Sequence, residues 1–125
     1  MKERVAILGA SDDPSRYANR AQHLLLDYGH SVVPVNPTLT EIDGKPAVPD
    51  LASIDGPVDT VTVYLRPALS EPLAESLVLL KPRRVIFNPG AESPTLRKRL
   101  EGAGIRVQWE CTLVLLRSGR FESTS

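Results

Sequence analysis

Val5-Ala6-Ile7-Leu8-Gly9-Ala10-Ser11 is the stretch of sequence that decides the fold. Its four leading apolar residues predict a short strand that is buried on both faces. The strand ends at Gly9, which permits either a sharp turn or the close approach of a ligand. A polar loop over residues 12–16 follows, and a helical pattern begins near Tyr17. A strand, a turn of small residues and a helix N-terminus together favour phosphate binding. A turn in which Gly9 has only a steric role is the alternative.

The composition narrows the classes of partner. The 125 residues carry 15 basic and 15 acidic side chains, so the formal net charge is zero. This balance argues against a general nucleic-acid or membrane-surface binder, which needs clustered positive charge. The single cysteine, Cys111, excludes an internal disulfide and fits a reducing compartment. There is no bilayer-spanning apolar run, and residues 1–4 pass directly into the first strand. We therefore expect a cytoplasmic protein.

Strands and helices alternate along the chain. After the first strand, further strands are predicted over residues 31–35, 60–64, 84–87 and 105–109. Helices are predicted over residues 17–28 and 112–116. Two further helices are predicted to begin after an N-cap, one at Ser70 and one at Ser93, where Pro94 follows the cap. Residues 38–57 form a long connection. This alternation predicts an α/β, Rossmann-like three-layer domain with a parallel five-stranded sheet. We expect a single domain over residues 1–120 and a disordered tail over 121–125.

The strand ends share a polar or backbone-shaping character. They are Gly9-Ala10-Ser11, Asn36-Pro37, Arg66-Pro67 and Asn88-Pro89-Gly90. In open parallel sheets, ligands bind beyond the carboxyl ends of the strands, where the strand order reverses. The sequence therefore predicts a ligand site along this edge. Prolines and asparagines that merely end strands are the alternative.

The sequence disfavours a dinucleotide ligand. The fingerprint G-x-G-x-x-G is missing, since Ser11 and Pro14 occupy its later glycine positions. An NAD site also needs an acidic residue after the second strand to bind the ribose diol. Asn36-Pro37 stands there, and no carboxylate follows before Glu41.

The chain resembles the small stand-alone CoA-binding proteins, which are related to the nucleotide-binding domain of the succinyl-CoA synthetase α subunit. The residues that carry the resemblance are Val5–Ser11 with Arg16-Tyr17, Val33–Pro37, Gly44-Lys45-Pro46 with Val48–Leu51 and Ile54, and Val58-Asp59 leading to Arg66-Pro67. The resemblance implies coenzyme A or an acyl-CoA lying across the strand ends. Its diphosphate would lie at the first turn and its adenosine toward the second and third strands. The pattern departs after the fourth strand, at Phe87–Glu92.

Each candidate contact has a specific role. Ser11 offers a hydroxyl and a backbone N–H to phosphate, and Arg16 a bidentate charge-assisted contact, unless it is merely solvated. Tyr17 either contacts the ligand at the rim or packs in the core. Arg66 would touch phosphate or adenine. The full set of predicted cofactor-binding residues is Gly9, Ala10, Ser11, Arg16, Tyr17, Asn36, Pro37, Arg66, Pro67 and Asn88.

No catalytic or metal-binding set is predicted. His23 and His30 flank the first helix without metal-like spacing and without an acid placed to orient them. Cys111 is interpreted as a buried apolar thiol, and Asp12-Asp13 as part of the turn before the helix. The sequence thus favours a non-catalytic binding or accessory module for a small nucleotide ligand. The alternative is a small nucleotide-dependent enzyme that uses NAD(P) or acyl-CoA. A protein partner or a homo-oligomer stays open.

Overall fold

The computed structural model describes residues 1–122, and a five-stranded parallel sheet lies at its centre. The strands of this sheet are β1 (Arg4–Leu8), β2 (Ser31–Val35), β5 (Thr60–Val63), β6 (Arg84–Phe87) and β7 (Arg106–Trp109). Between β2 and β5 lies a small antiparallel hairpin of β3 (Glu41–Ile42) and β4 (Lys45–Pro46). The helices are α1 (Tyr17–Asp27), α2 (Pro67–Ser70), α3 (Ala74–Leu80), α4 (Pro94–Gly102) and α5 (Thr112–Arg117).

The sheet has the order β2-β1-β5-β6-β7, with all neighbours parallel. The chain steps outward from β1 to β2 and then returns to β5 on the other side of β1. The strand order therefore reverses between β1 and β5, which is where such sheets bind ligands. The predicted Rossmann-like α/β fold is confirmed.

Alternation along β1 explains the three layers. Ala6 and Leu8 face a core that includes residues of α3 and α4, whereas Val5 and Ile7 face a core that includes residues of α1 and α5. All four side chains are buried. A strand with apolar residues at successive positions must be covered on both faces, and these helices supply the cover.

Two predicted helix starts have different outcomes. Ser93 is the N-cap of α4: its hydroxyl accepts the Leu96 N–H at 3.1 Å, and Pro94 occupies the first turn. Ser70 is the last residue of α2 and is fully buried; it precedes a 3₁₀ turn over Glu71–Leu73, but its side chain forms no capping hydrogen bond there. The helix begins instead at Arg66-Pro67, because a proline at N1 brings a helical φ and needs no N–H partner.

The connection over residues 38–57 contains the hairpin that the sequence did not predict. Its Asp43-Gly44 turn was recognisable, but strands of two residues have no detectable periodicity. The hairpin is fastened to α1, because Gln22 Nε2 donates to the Ile42 carbonyl at 2.9 Å. Beyond it, Val48 bridges to Val35 and so extends the β2 edge of the sheet.

A buried charge cluster, Glu3 with Arg84, lies at the amino ends of the strands, which we call the amino edge. Arg84 Nη2 lies 3.1 Å from Glu3 Oε2 and 2.6 Å from the Phe121 carbonyl oxygen, to which it donates. Arg84 Nε donates to Thr60 Oγ1 at 2.8 Å, and the guanidinium lies 4.4 Å from the Phe121 ring centroid. Burial lowers the pKa of Arg84, and the Glu3 carboxylate opposes that shift.

The predicted disordered tail is wrong for its first two residues. Phe121 is 2% exposed, and its ring also contacts His30 at 5.0 Å between centroids. Glu122 accepts a hydrogen bond at 2.6 Å from the amino group of Met1. The tail prediction missed this packing because Phe121 contacts Arg84, a residue far away in the sequence. Residues 123–125 lie outside the described part of the chain.

The other border of the sheet is β7, whose last residue, Trp109, is 42% exposed. The Arg97 guanidinium of α4 lies 4.9 Å from the centroid of the Trp109 ring. None of the helices within residues 1–122 has the length and apolarity needed to cross a membrane.

Candidate functional site

A cleft of about 590 Å³ opens at the carboxyl ends of β1, β5 and β6, which we call the carboxyl edge. It lies at the reversal of strand order, the place that the sequence predicts. Its walls come from the β1–α1 turn, the start of α2 and the loop after β6. The lining residues are Gly9, Ser11, Arg16, Tyr17, Ala18, Tyr64, Leu65, Arg66, Leu69 and residues 88–91.

The N-terminus of α1 brings free backbone donors to this cleft. Arg16 is its N-cap, with extended backbone and no side-chain capping bond. The N–H groups of Ser11, Tyr17 and Ala18 have no hydrogen-bond partner within residues 1–122. An uncapped N-terminus carries partial positive charge, so these donors favour an anion.

Two arginines flank the cleft. Arg16 and Arg66 are both exposed, and within the described chain neither guanidinium forms a hydrogen bond or an ion pair. Asp13, an acid of the turn, already accepts hydrogen bonds. Its Oδ1 accepts the Ser15 N–H at 2.9 Å and the Ser15 hydroxyl at 2.8 Å, and these bonds hold the pKa of Asp13 below its ordinary value. The carboxylate serves the turn, as predicted. The charge of Arg16 also lowers the pKa of Asp13, but no ion pair within residues 1–122 holds the Arg16 guanidinium.

Gly9 is required by the turn itself. Its φ is +91°, in the region that side-chain-bearing residues rarely adopt. A methyl group added here would lie 3.0 Å from Leu65 Cδ2 and 3.3 Å from the Tyr64 carbonyl carbon. It would therefore meet the end of β5. The direction of this methyl group does not support the hypothesis that Gly9 makes room for a ligand. Ala10 is buried and does not line the cleft.

Asn36, Pro37 and Pro67, although predicted to contact the ligand, do not line the cleft. Asn36 donates to the Ala10 carbonyl at 3.0 Å, and its Oδ1 accepts the N–H groups of Thr38 and Leu39. Its amide therefore ties the β2 turn to the β1 turn. Pro67 is the first residue of α2.

Asn88 reaches the cleft but has no free polar group. Its Nδ2 donates to Thr62 Oγ1 at 2.7 Å and to the Val63 carbonyl at 2.9 Å. Its Oδ1 accepts the Thr112 N–H at 2.8 Å, so this amide caps α5. The side chain is buried and serves as a structural joint between β5, β6 and α5.

Sequence reasoning missed several wall residues. Leu69, which was not among the predicted contacts, is half exposed and lines the cleft. Tyr17, by contrast, was among the predicted contacts; of its two predicted positions the structure has the exposed rim and not the core, with the Arg20 guanidinium 5.4 Å from its ring centroid. Tyr64 and Leu65 directly follow β5, so their position at a strand end was the available signal.

A second, smaller pocket of about 230 Å³ adjoins the cleft, and we call it the side pocket. Its lining residues are Tyr17, Tyr64, Asn88, Pro89, Cys111 and Leu113. The Tyr64 hydroxyl is buried and has no partner within residues 1–122, and burial raises the pKa of this phenol above its ordinary value. Cys111 is the N-cap of α5 and only half-buried.

The two histidines lie away from the cleft. His23 Nε2 lies 2.8 Å from Asp43 Oδ2, so the expectation of no nearby acid was wrong for His23. Asn19 also donates to Asp43, and the two bonds hold the pKa of Asp43 down. These contacts fasten the hairpin to α1. Among residues 1–122, no group of three or more His, Cys, Asp or Glu side chains could hold a metal ion.

Comparison with known proteins identifies relatives. The profile of a family described as CoA binding domain matches residues 3–117. The uncharacterized protein YneT of Bacillus subtilis is 38% identical over 78 residues, which are 59% of this chain and 58% of YneT, less than two thirds of that relative. The crystal structure of an uncharacterized protein matches with a TM-score of 0.90 and 39% identity, covering 97% of this chain and 99% of that one.

A more distant likeness concerns the fold alone. The dinucleotide-forming acetyl-coenzyme A synthetase 1 of Ca. Korarchaeum cryptofilum, solved with phosphate and ADP, matches with a TM-score of 0.75 and 22% identity. The match covers 86% of this chain and 25% of the synthetase.

Proposed function

Because this chain belongs to the CoA-binding domain family, we propose that it binds coenzyme A or an acyl-CoA in the cleft at the carboxyl edge. The observation that carries the proposal is the uncapped N-terminus of α1. Its free Tyr17 and Ala18 N–H groups lie in the same cleft as two unpaired arginines.

The cleft fits a diphosphate. The backbone N–H groups of Ser11, Tyr17 and Ala18 supply donors at the positive end of the helix dipole. Arg16 and Arg66 supply planar guanidinium groups, which can bind phosphate oxygens in a bidentate manner. Since neither guanidinium has an ion-pair partner in the described part of the chain, binding breaks no ion pair there.

The surroundings of β2 favour CoA over NAD. The Asn36 amide that follows this strand is consumed by the Ala10 and Thr38 backbone. The next carboxylate, Glu41, lies in the hairpin and does not line the cleft. A ribose diol would therefore lack the acidic acceptor that NAD sites provide.

The lining of the cleft supports a binding or accessory role. Its ionisable groups are Arg16, Tyr17, Tyr64 and Arg66; within the described chain its wall holds no carboxylate, imidazole or thiol. We propose a module that holds the ligand, alone or beside a protein partner or a second copy. The alternative, a small enzyme that uses NAD(P) or acyl-CoA, would have to recruit a reactive group from outside this wall, such as Cys111 in the side pocket.

Titration calorimetry with CoA, NAD and NADP tests the proposal. We expect CoA to bind and the two dinucleotides not to bind. Tighter binding of NAD than of CoA would overturn the proposal. A native mass spectrum of the purified protein adds an independent reading, since a retained adduct identifies its ligand by mass. Incubation with acetyl-CoA, followed by a thiol assay, tests the enzyme alternative: released CoA would favour it.

A further inference from the structure

The side pocket differs in chemistry from the cleft that it adjoins. We infer that it receives the uncharged, sulfur-bearing end of the ligand, and that the chain thereby selects thioesters with a short neutral acyl group over those that end in a carboxylate. This inference rests on the proposed function and names the ligand class of the same site.

The shared wall of the two spaces is the first argument. Tyr17, Tyr64, Asn88 and Pro89 line both the cleft and the side pocket. The side pocket is therefore the neighbouring space for a ligand whose diphosphate lies at the α1 N-terminus. The side pocket lies toward β6 and α5, away from β2.

The lining of the side pocket is the second argument. Among residues 1–122, no charged residue lines it, and its wall is mostly apolar. Asn88 offers no free polar atom, because both ends of its amide are already bonded to Thr62, Val63 and Thr112. Tyr64 contributes carbon surface, because its hydroxyl is buried. Among the described residues, no side chain of this wall offers a carboxylate a charged partner to offset the hydration that it would lose.

The volume sets the length of the acyl group. About 230 Å³ corresponds to roughly eight water-sized groups, at about 30 Å³ each. This is room for the sulfur, the carbonyl and a few further carbons. Each buried methylene should strengthen binding about fourfold. Butyryl-CoA, with two more methylenes, should therefore bind about fifteenfold more tightly than acetyl-CoA, and longer chains should gain nothing further.

Calorimetry with a matched pair tests the selection. Butyryl-CoA and succinyl-CoA both carry four acyl carbons but differ in the terminal carboxylate. We expect succinyl-CoA to bind at least about tenfold more weakly than butyryl-CoA. Equal affinity for the two, with CoA itself bound, overturns this inference and leaves the proposed function standing. If CoA does not bind at all, the proposed function fails and this inference fails with it.

A variant whose side chain fills the side pocket tests whether the acyl group binds there. Cys111→Phe should abolish the advantage of butyryl-CoA over acetyl-CoA, but it should leave unchanged the affinity for adenosine 3′-phosphate 5′-diphosphate, the nucleotide half of CoA. Val114→Phe is the matched control, because Val114 lies on the same helix, is 49% exposed and does not line the pocket. If Cys111→Phe does not fold, Cys111→Met makes the same test with a smaller side chain. A filled variant that keeps the full butyryl advantage overturns the inference.

Discussion

The two edges of the sheet use similar charged groups for opposite purposes. At the amino edge, Arg84 is 2% exposed and bonded to Glu3, Thr60, Gln108 and the Phe121 carbonyl. At the carboxyl edge, Arg16 and Arg66 are exposed, and neither guanidinium has a hydrogen bond or ion pair within residues 1–122. The buried guanidinium of the amino edge is bonded within the protein, whereas the two exposed guanidinium groups of the carboxyl edge face a cleft.

This contrast separates folding from binding. A buried guanidinium must be fully paired, because an unpaired buried charge costs several kcal/mol. An exposed guanidinium costs the fold little, so it can be kept for a ligand. Substitutions at the amino edge should therefore change stability and spare affinity, and those at the carboxyl edge the reverse.

The strongest test of this separation is Glu3→Ala. It leaves Arg84 buried without its carboxylate partner, so we expect a loss of about 3–5 kcal/mol in the free energy of unfolding. Urea unfolding measures this loss, and Glu41→Ala, which removes an exposed acid, is the control. Replacing both Glu3 and Arg84 by Met should cost less than Glu3→Ala alone. A loss below 1 kcal/mol for Glu3→Ala would contradict the assigned role of the pair.

The converse test is Arg16→Ala. It should weaken CoA binding by about 1.5–3 kcal/mol, the scale of hydrogen bonds to charged groups, and should change stability by less than about 0.5 kcal/mol. Calorimetry and a melting curve without ligand measure the two quantities. Arg99→Ala serves as the control, because Arg99 is an exposed arginine on α4 outside the cleft wall. Unchanged affinity in Arg16→Ala would remove Arg16 from the site.

Gly9→Ala probes a residue that belongs to the fold although it lies at the carboxyl edge. Its positive φ and the contact with Leu65 should lower stability by about 1–2 kcal/mol. The folded variant should keep its CoA affinity better than Arg16→Ala does. Gly102→Ala is the control, because Gly102 lies in α4 with open space around the added methyl, and alanine there should be neutral or stabilising. A loss of CoA binding free energy larger than the loss of unfolding free energy would instead indicate that Gly9 makes room for the ligand.

The smallest effect concerns pH at the amino edge. Burial lowers the pKa of His30 below its ordinary 6.5, although Glu122 and Glu3 oppose the shift and Lys2 reinforces it. The unfolded chain therefore binds the proton more readily, and stability should fall as the pH drops below about 6.5. Unfolding in urea at pH 7.5 and pH 5.5 measures the difference. His30→Asn should reduce it, and His23→Gln at the exposed histidine should not; equal pH dependence in all three proteins would refute the role of His30.

The carboxyl edge was predictable in outline because its signals are local. Four consecutive apolar residues, Val5–Leu8, predict a buried strand. Gly9 predicts the turn that follows, in which its φ is positive. Ser93-Pro94 predicts a cap through two adjacent residues. Because parallel strands bring their carboxyl ends together, predicting the strands also places the edge.

Which strand-end residues face the cleft was not predictable. Asn36 and Asn88 each follow a strand, a position that suits ligand contact. The side-chain amides of both nevertheless form hydrogen bonds with neighbouring turns, strands and helices. Their partners lie up to 26 residues away, so the choice depends on tertiary geometry. The same holds for Phe121, whose burial depends on Arg84 and His30, 37 and 91 residues earlier in the chain.

The Arg97–Trp109 contact at the end of β7 gives the molecule a built-in optical probe. Trp109 is the single tryptophan of the chain, and it stands two residues before Cys111. Selective excitation of its indole therefore reports on one place, the junction between the sheet and the side pocket. Unfolding separates the ring from the guanidinium that covers it, so its emission follows the loss of the native packing of β7 against α4 without an added label.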